Sequence, residues 1–118
     1  MSTNDWTSSH FISALSADIP TEPVPIEQKI SGEPETGTLV LGLWQDKEVG
    51  VWDMTVGEIH DVEVDEICII LAGSGEVERT LHGEKIIQKL SPGVVLELHD
   101  QEKTIWRVSD TIRKIYLA

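Results

Sequence analysis

His60 and Glu66 are the two side chains of this sequence that could share acid–base or metal chemistry, six residues apart in the run His-Asp-Val-Glu-Val-Asp-Glu-Ile-Cys-Ile-Ile-Leu over 60–71. Read as one unbroken strand, period-two alternation puts His60, Val62, Val64, Glu66, Cys68 and Ile70 on one face. Asp61, Glu63, Asp65, Ile67, Ile69 and Leu71 share the other. An inward Glu66 that is paired or solvated is structural. Desolvated and unpaired, it gains a raised pKa and becomes a candidate general acid or base. His60 is either a metal ligand or proton carrier, or a hydrogen-bonded lining residue. As metal ligands the two are an incomplete set, because a divalent site needs three or four converging N/O donors. A flat strand would hold them roughly 20 Å apart, so only strong twist or a bulge brings them together.

Around that pair stand the candidates for a pocket lining: Trp52, Val62, Cys68, Thr104 and Trp106. Cys68 reads as a small buried hydrophobe, since a nucleophilic thiol needs a base and an electropositive setting and its neighbours are acids. Trp44, Trp52 and Trp106 are either core or the wall of a site that stacks on a planar or apolar small molecule. His99 in a polar turn and His82 beside Gly83 at a hairpin tip read as surface residues. His10 and Trp6 lie in the N-terminal segment.

Strands must position all of these. Residues 38–44 and 49–55 are rich in β-branched and aromatic side chains and flank a polar turn over 45–48. Gly57, Gly73, Gly75, Gly83 and Pro92-Gly93 punctuate the remainder of the chain, and no stretch holds a 3.6-residue apolar period. The expectation is a small all-β sandwich or barrel with almost no helix. Four of the five prolines fall before residue 37, so residues 1–37 read as an extended Pro-rich arm, with Phe11, Ile12, Leu15, Val24 and Ile26 as possible anchors. Residues 38–118 form the domain. The outward row Ile67, Ile69, Leu71 needs cover, from the arm or from a second subunit, which favours a homodimer.

Composition removes several classes. A chain of 118 residues with 21 acidic and 9 basic side chains has a formal charge of −12 and room for one core. That charge opposes nucleic acid and anionic membranes alike. The single Cys68 excludes an internal disulfide framework, and no apolar run approaches a membrane span, so a cytoplasmic address is expected. The acids Asp61, Glu63 and Asp65 read as a solvated face rather than a calcium loop.

From about Gly50 to Tyr116 the sequence resembles the cupin superfamily, most closely its small single-domain branch related to the ureidoglycine aminohydrolase cupin domain. The resemblance is carried by Val51-Trp52, Gly57, the run from Asp65-Glu66 to Gly73, Gly83, Leu90-Ser-Pro-Gly93, Trp106-Arg-Val108 and Thr111-Ile-Arg-Lys-Ile-Tyr116. It implies an RmlC-like double-stranded β-helix, a short jelly roll with its site at the mouth. Of the cupin ligand positions, His60 and Glu66 keep a ligating side chain, whereas Val62 and Thr104 replace histidines. The different ligand set of the aminohydrolase is broken as well, with valine again at its centre. The reading is therefore a small cupin with a degenerate metal site and no cofactor, taking a small organic ligand in the roll. The alternatives are a divalent-metal hydrolase acting on a ureido or other nitrogenous metabolite, and a structural or accessory dimer subunit.

Overall fold

The computed structural model describes residues 11–118, so His10 and Trp6 lie outside it. Its strands are β1 (Glu22–Pro23), β2 (Lys29–Gly32), β3 (Glu35–Trp44), β4 (Lys47–Met54), β5 (Gly57–Val62), β6 (Glu66–Leu81), β7 (Glu84–Leu90), β8 (Val95–Leu98) and β9 (Lys103–Leu117). No helix occurs among the described residues. The architecture is the expected all-β jelly roll.

Two long strands, β6 and β9, pair antiparallel with each other and run through both layers. One layer sets β1, β3 and β4 beside residues 112–117 of β9, followed by 67–72 of β6 and then β8. The other sets β2 and β5 beside residues 103–108 of β9, followed by 75–78 of β6 and then β7. The strands pass from layer to layer at Gly73, Ser74 and Gly75, where the β6–β9 register shifts. Gly73 has φ +94°, and a Cβ there would lie 2.1 Å from the carbonyl oxygen of Thr111. Only glycine turns this corner without displacing backbone.

Inward alternation builds the core from both layers: Met54, Ile70, Leu96, Leu98 and Ile112 face Ile59, Val77 and Trp106, all at most 4% exposed. The 38–55 hairpin forms where its pattern places it, but its turn is tighter than the expected four residues. Trp44 pairs with Lys47, and Gln45 and Asp46 take φ of 48° and 65° between them.

The N-terminal segment covers the outer face of the first layer. Ile19 and Ile12 pack on Leu41, Val49 and Val51. Val24 is buried in the main core, whereas Phe11, Leu15 and Ile26, also read as anchors, are exposed. Arg113 locks the segment in place. Its Nε and Nη2 donate to the two oxygens of Asp53 at 2.8 Å, and Nη1 donates to the carbonyls of Ala14 at 3.0 Å and Leu15 at 3.1 Å. Arg113→Ala is expected to cost about 1.5–3 kcal/mol, the range for hydrogen bonds to a charged group. It is also expected to open residues 12–18 to limited proteolysis while the roll stays resistant; an unchanged cleavage pattern would deny Arg113 this role.

Candidate functional site

At one end of the roll a cavity of about 250 Å³ opens between the first layer and residues 61–64, lined by Glu48, Trp52, Asp61, Glu63, Glu66, Lys114 and Tyr116 among others. β9 supplies Lys114 and Tyr116 by continuing the inward alternation that begins at Ile112. Lys114 is 7% exposed on its side chain and donates from Nζ to Glu66 Oε2 at 2.7 Å. The same nitrogen lies 4.7 Å from the ring centroid of Trp52 and 4.9 Å from that of Trp106. The two indoles meet edge to face, with centroids 5.5 Å apart. Trp106 is fully buried and donates from Nε1 to Glu63 Oε2 at 3.0 Å, to which Thr104 Oγ1 also donates at 2.6 Å. Tyr116 lies against Gly50, where any side chain would collide with its ring, and its hydroxyl donates to Glu48 Oε2 at 2.6 Å.

The phase of the 60–71 run differs from the alternation expected of one unbroken strand. β5 ends at Val62 and β6 starts at Glu66, and the intervening residues leave the ladder. The Glu63 amide donates to the Glu102 carbonyl at 2.8 Å, and the Gln101 amide donates to the Glu63 carbonyl at 2.9 Å. Asp65 Oδ1 accepts the Asp100 amide at 2.9 Å. This docking on the 99–102 turn shifts the side-chain phase by one residue. His60, Val62 and Val64 therefore face outward, and Asp61 and Glu63 turn in beside Glu66 and Cys68. The solvated acidic face is thus corrected: Glu63 is 5% exposed and Asp61 is half-buried, leaving Asp65 as the exposed acid of the three.

His60 stands on the outer surface away from Glu66, and Val62 sits at the cavity rim, 55% exposed. Of the expected lining residues Trp52 and Val62 line the cavity, whereas Thr104 and Trp106 are buried behind Glu63 and Cys68 is buried in the core. Trp44 is 55% exposed and belongs to neither core nor cavity. His99 and His82 are exposed. Of the ligand positions implied by the resemblance, Glu66 alone faces the cavity with a carboxylate, and its Oε2 holds Lys114. Among the described residues no three or more His, Cys, Asp or Glu side chains converge to hold a metal ion. The residues present do not fit one.

Asp61 carries the titration of interest. Burial, reinforced by the charge of Glu63, raises its pKa from 3.8 to about 6. A carboxyl whose folded pKa exceeds its unfolded one binds more protons when folded, so stability falls as pH rises from about 4 to about 6. Asp61→Asn is expected to flatten that slope and to be more stable than wild type at pH 7, read by denaturant titrations across the window. Burial also lifts the Cys68 thiol to about 11, with Glu66 adding to the effect against Lys114, which makes the thiol inert at neutral pH. Burial and the bond to Glu48 raise the Tyr116 hydroxyl too.

Sequence reasoning passed over Lys114, Tyr116 and Glu48. The available signal was the alternation Ile112, Lys114, Tyr116, which places a lysine and a tyrosine inward in an otherwise apolar row. A wider, shallower cleft of about 800 Å³ lies elsewhere on the roll, lined by Ser31, Ser74, Ser91, Ser109 and Arg107 among others. Arg107 is engaged there by Glu58, Glu76 and Glu78.

The EutQ-like cupin domain matches residues 41–116. A structure of a putative ethanolamine utilization protein Q from Salmonella typhimurium superposes with a TM-score of 0.56 at 22% identity, covering 71% of this chain and 68% of that one. A protein of unknown function from Vibrio parahaemolyticus gives a TM-score of 0.58 at 17% identity, covering 86% and 98%. One from Pseudomonas syringae gives 0.64 at 21% identity, covering 86% and 44%. At these identities the structural likeness establishes the fold. A search of curated proteins finds no match.

Proposed function

The chain belongs to the EutQ-like cupin domain family, and on that premise we propose that it is a ligand-binding cupin whose mouth takes a small amine or amino alcohol as its ammonium form. The observation that carries this reading is the charge of the cavity. Four carboxylates, Glu48, Asp61, Glu63 and Glu66, line it against the single ammonium of Lys114. Three of the four are engaged: Glu66 by Lys114, Glu63 by Thr104 and Trp106, and Glu48 by Tyr116. Among the described residues Asp61 accepts only the amide of its own neighbour Val62, at 2.9 Å. It is the acceptor left for a ligand cation, with the Trp52 ring as an apolar wall. The name of the Salmonella neighbour, ethanolamine utilization protein Q, points to a compound of this size and charge.

A thermal-shift panel at pH 7 tests the reading. Ethanolamine and n-propylammonium are expected to raise the Tm of the wild type, acetate and n-propanol to leave it unchanged, and Asp61→Asn to abolish the gain. Stabilisation by the anion and none by the amines would refute it. The hydrolase reading, similar to ureidoglycine aminohydrolase, finds its implied ligand positions occupied by His60, Val62, Glu66 and Thr104, a broken set; one equivalent of bound divalent metal and ammonia release from a ureido compound would put it in first place. For assembly we propose a homodimer across Ile67, Ile69 and Val95, which adjoin on the outer face of the first layer and are 48%, 41% and 57% exposed. Sedimentation at low concentration tests it, and a monomer would overturn it.

A further inference from the structure

We propose that the Lys114 ammonium is a built-in cation, occupying the part of the roll where metal-binding cupins hold a metal ion. The mouth is then a cation site filled from within the chain. The inference comes from the disagreement between the ligand set that the fold implies and the residues present. Glu66, the one implied ligand that faces inward, has Lys114 Nζ on its Oε2 at 2.7 Å. Both partners are nearly closed to solvent, with side chains 7% and 9% exposed. Two further sides of the ammonium are indole faces, at 4.7 Å and 4.9 Å. An ammonium is attracted to such faces, whereas a hard divalent ion needs oxygen or nitrogen donors in those directions. Thr104, at another implied ligand position, donates its hydroxyl to Glu63 and so holds the floor under Trp106. Every group around Lys114 is thus arranged for a single positive charge on a tether.

The location of the charge has a chemical consequence. A tethered ammonium is supplied by folding and cannot be chelated away. It pairs with Glu66 without a metal, and it leaves Asp61 as the carboxylate facing whatever enters the cavity. The proposal does not depend on which ligand that is, because it concerns the occupant of the Glu66 side of the site.

The test is replacement of the tethered cation by a free one. Protein purified without chelator is expected to carry no stoichiometric divalent metal, and millimolar Mn²⁺ or Zn²⁺ is expected to leave the wild-type Tm unchanged. Lys114→Ala removes the ammonium and its stem. It is expected to melt lower at pH 7 and to regain stability with n-propylammonium, but not with the neutral isostere n-propanol or with Mn²⁺ or Zn²⁺, because the indole faces supply no donor to a divalent ion. Adding Glu66→Gln should erase the n-propylammonium rescue. One equivalent of metal on the wild type that Glu66→Gln removes would overturn the proposal, as would a folded Lys114→Ala that n-propylammonium does not stabilise. Should Lys114→Ala fail to fold, the double variant with Glu66→Ala, which removes both charges, is expected to fold. Its failure would make Lys114 a packing residue and also overturn the proposal.

Discussion

Arg79→Met is expected to destabilise the protein by about 3–5 kcal/mol, because it removes one partner of a buried ion pair and leaves the other without its counter-charge. Arg79 and Glu102 have side chains 5% and 9% exposed, joined by Nε to Oε2 at 2.7 Å and Nη2 to Oε1 at 2.9 Å. The guanidinium also donates to the Glu97 carbonyl at 2.7 Å and to Gln88 Oε1 at 3.3 Å. One side chain on β6 therefore ties β7, β8 and the 99–102 turn together, and that turn is where Glu63 docks. The loss should reach the mouth as well as the melting temperature, through Trp106, which hangs on Glu63.

The pH dependence adds a signature. Burial works against the Glu102 carboxylate, but the Arg79 hydrogen bonds outweigh it and hold its pKa below 4.5. A depressed carboxyl stabilises the fold above its unfolded pKa, and that contribution is lost as pH falls through the folded value. The variant should therefore show a shallower loss of stability below about pH 4.5 than wild type. A Tm within a degree of wild type would show that the turn holds without Arg79.

Gly73→Ala is the second large effect, at about 3–5 kcal/mol from overpacking and backbone strain combined. The added Cβ would lie 2.1 Å from the Thr111 oxygen, 2.6 Å from the Thr111 carbon and 2.8 Å from the Asp110 oxygen, all of them backbone. No rotamer change relieves that contact, so β6 and β9 must part at the corner that joins the two layers. Gly83 is the matched control. Its φ is +80°, yet a Cβ there meets nothing within 4 Å. Gly83→Ala should cost about 1 kcal/mol, the backbone strain alone. Equal losses at the two sites, in paired denaturant melts, would remove the steric argument for the corner.

That corner explains why the spacing from Glu66 to Gly73 was readable as a signature. The glycine marks the turn from one layer to the other, and the glutamate marks the start of the strand that runs into it. The β-branched and aromatic runs from Thr38 onward likewise sufficed for the 38–55 hairpin. The break at residues 63–65 was not legible. Glu63, Val64 and Asp65 include no glycine or proline, and the chain leaves the ladder only because its backbone finds partners in a turn nearly forty residues further along. That single slip of phase turned His60 outward and brought Asp61 and Glu63 in. Lys114 escaped notice for a different reason: a scan for metal ligands and acid–base pairs has no place for an amine that stands where a metal is expected. Ile19 was also missed as an anchor, since its importance comes from the groove over Leu41 and Val51 rather than from its own neighbours.

The central claim, that the acidic mouth around Asp61 and Lys114 receives a small ammonium ligand, is tested most directly by a ¹H–¹⁵N NMR titration of the wild-type protein with ethanolamine. The expected result is saturable shifts of the Trp52 and Trp106 indole N–H signals and of the Asp61, Val62 and Lys114 amides, all absent in Asp61→Asn. Saturable shifts confined to Ser31, Ser74, Ser91 and Ser109 would place the ligand in the other cleft, and no saturable shift at all would remove the amine; either result contradicts the claim.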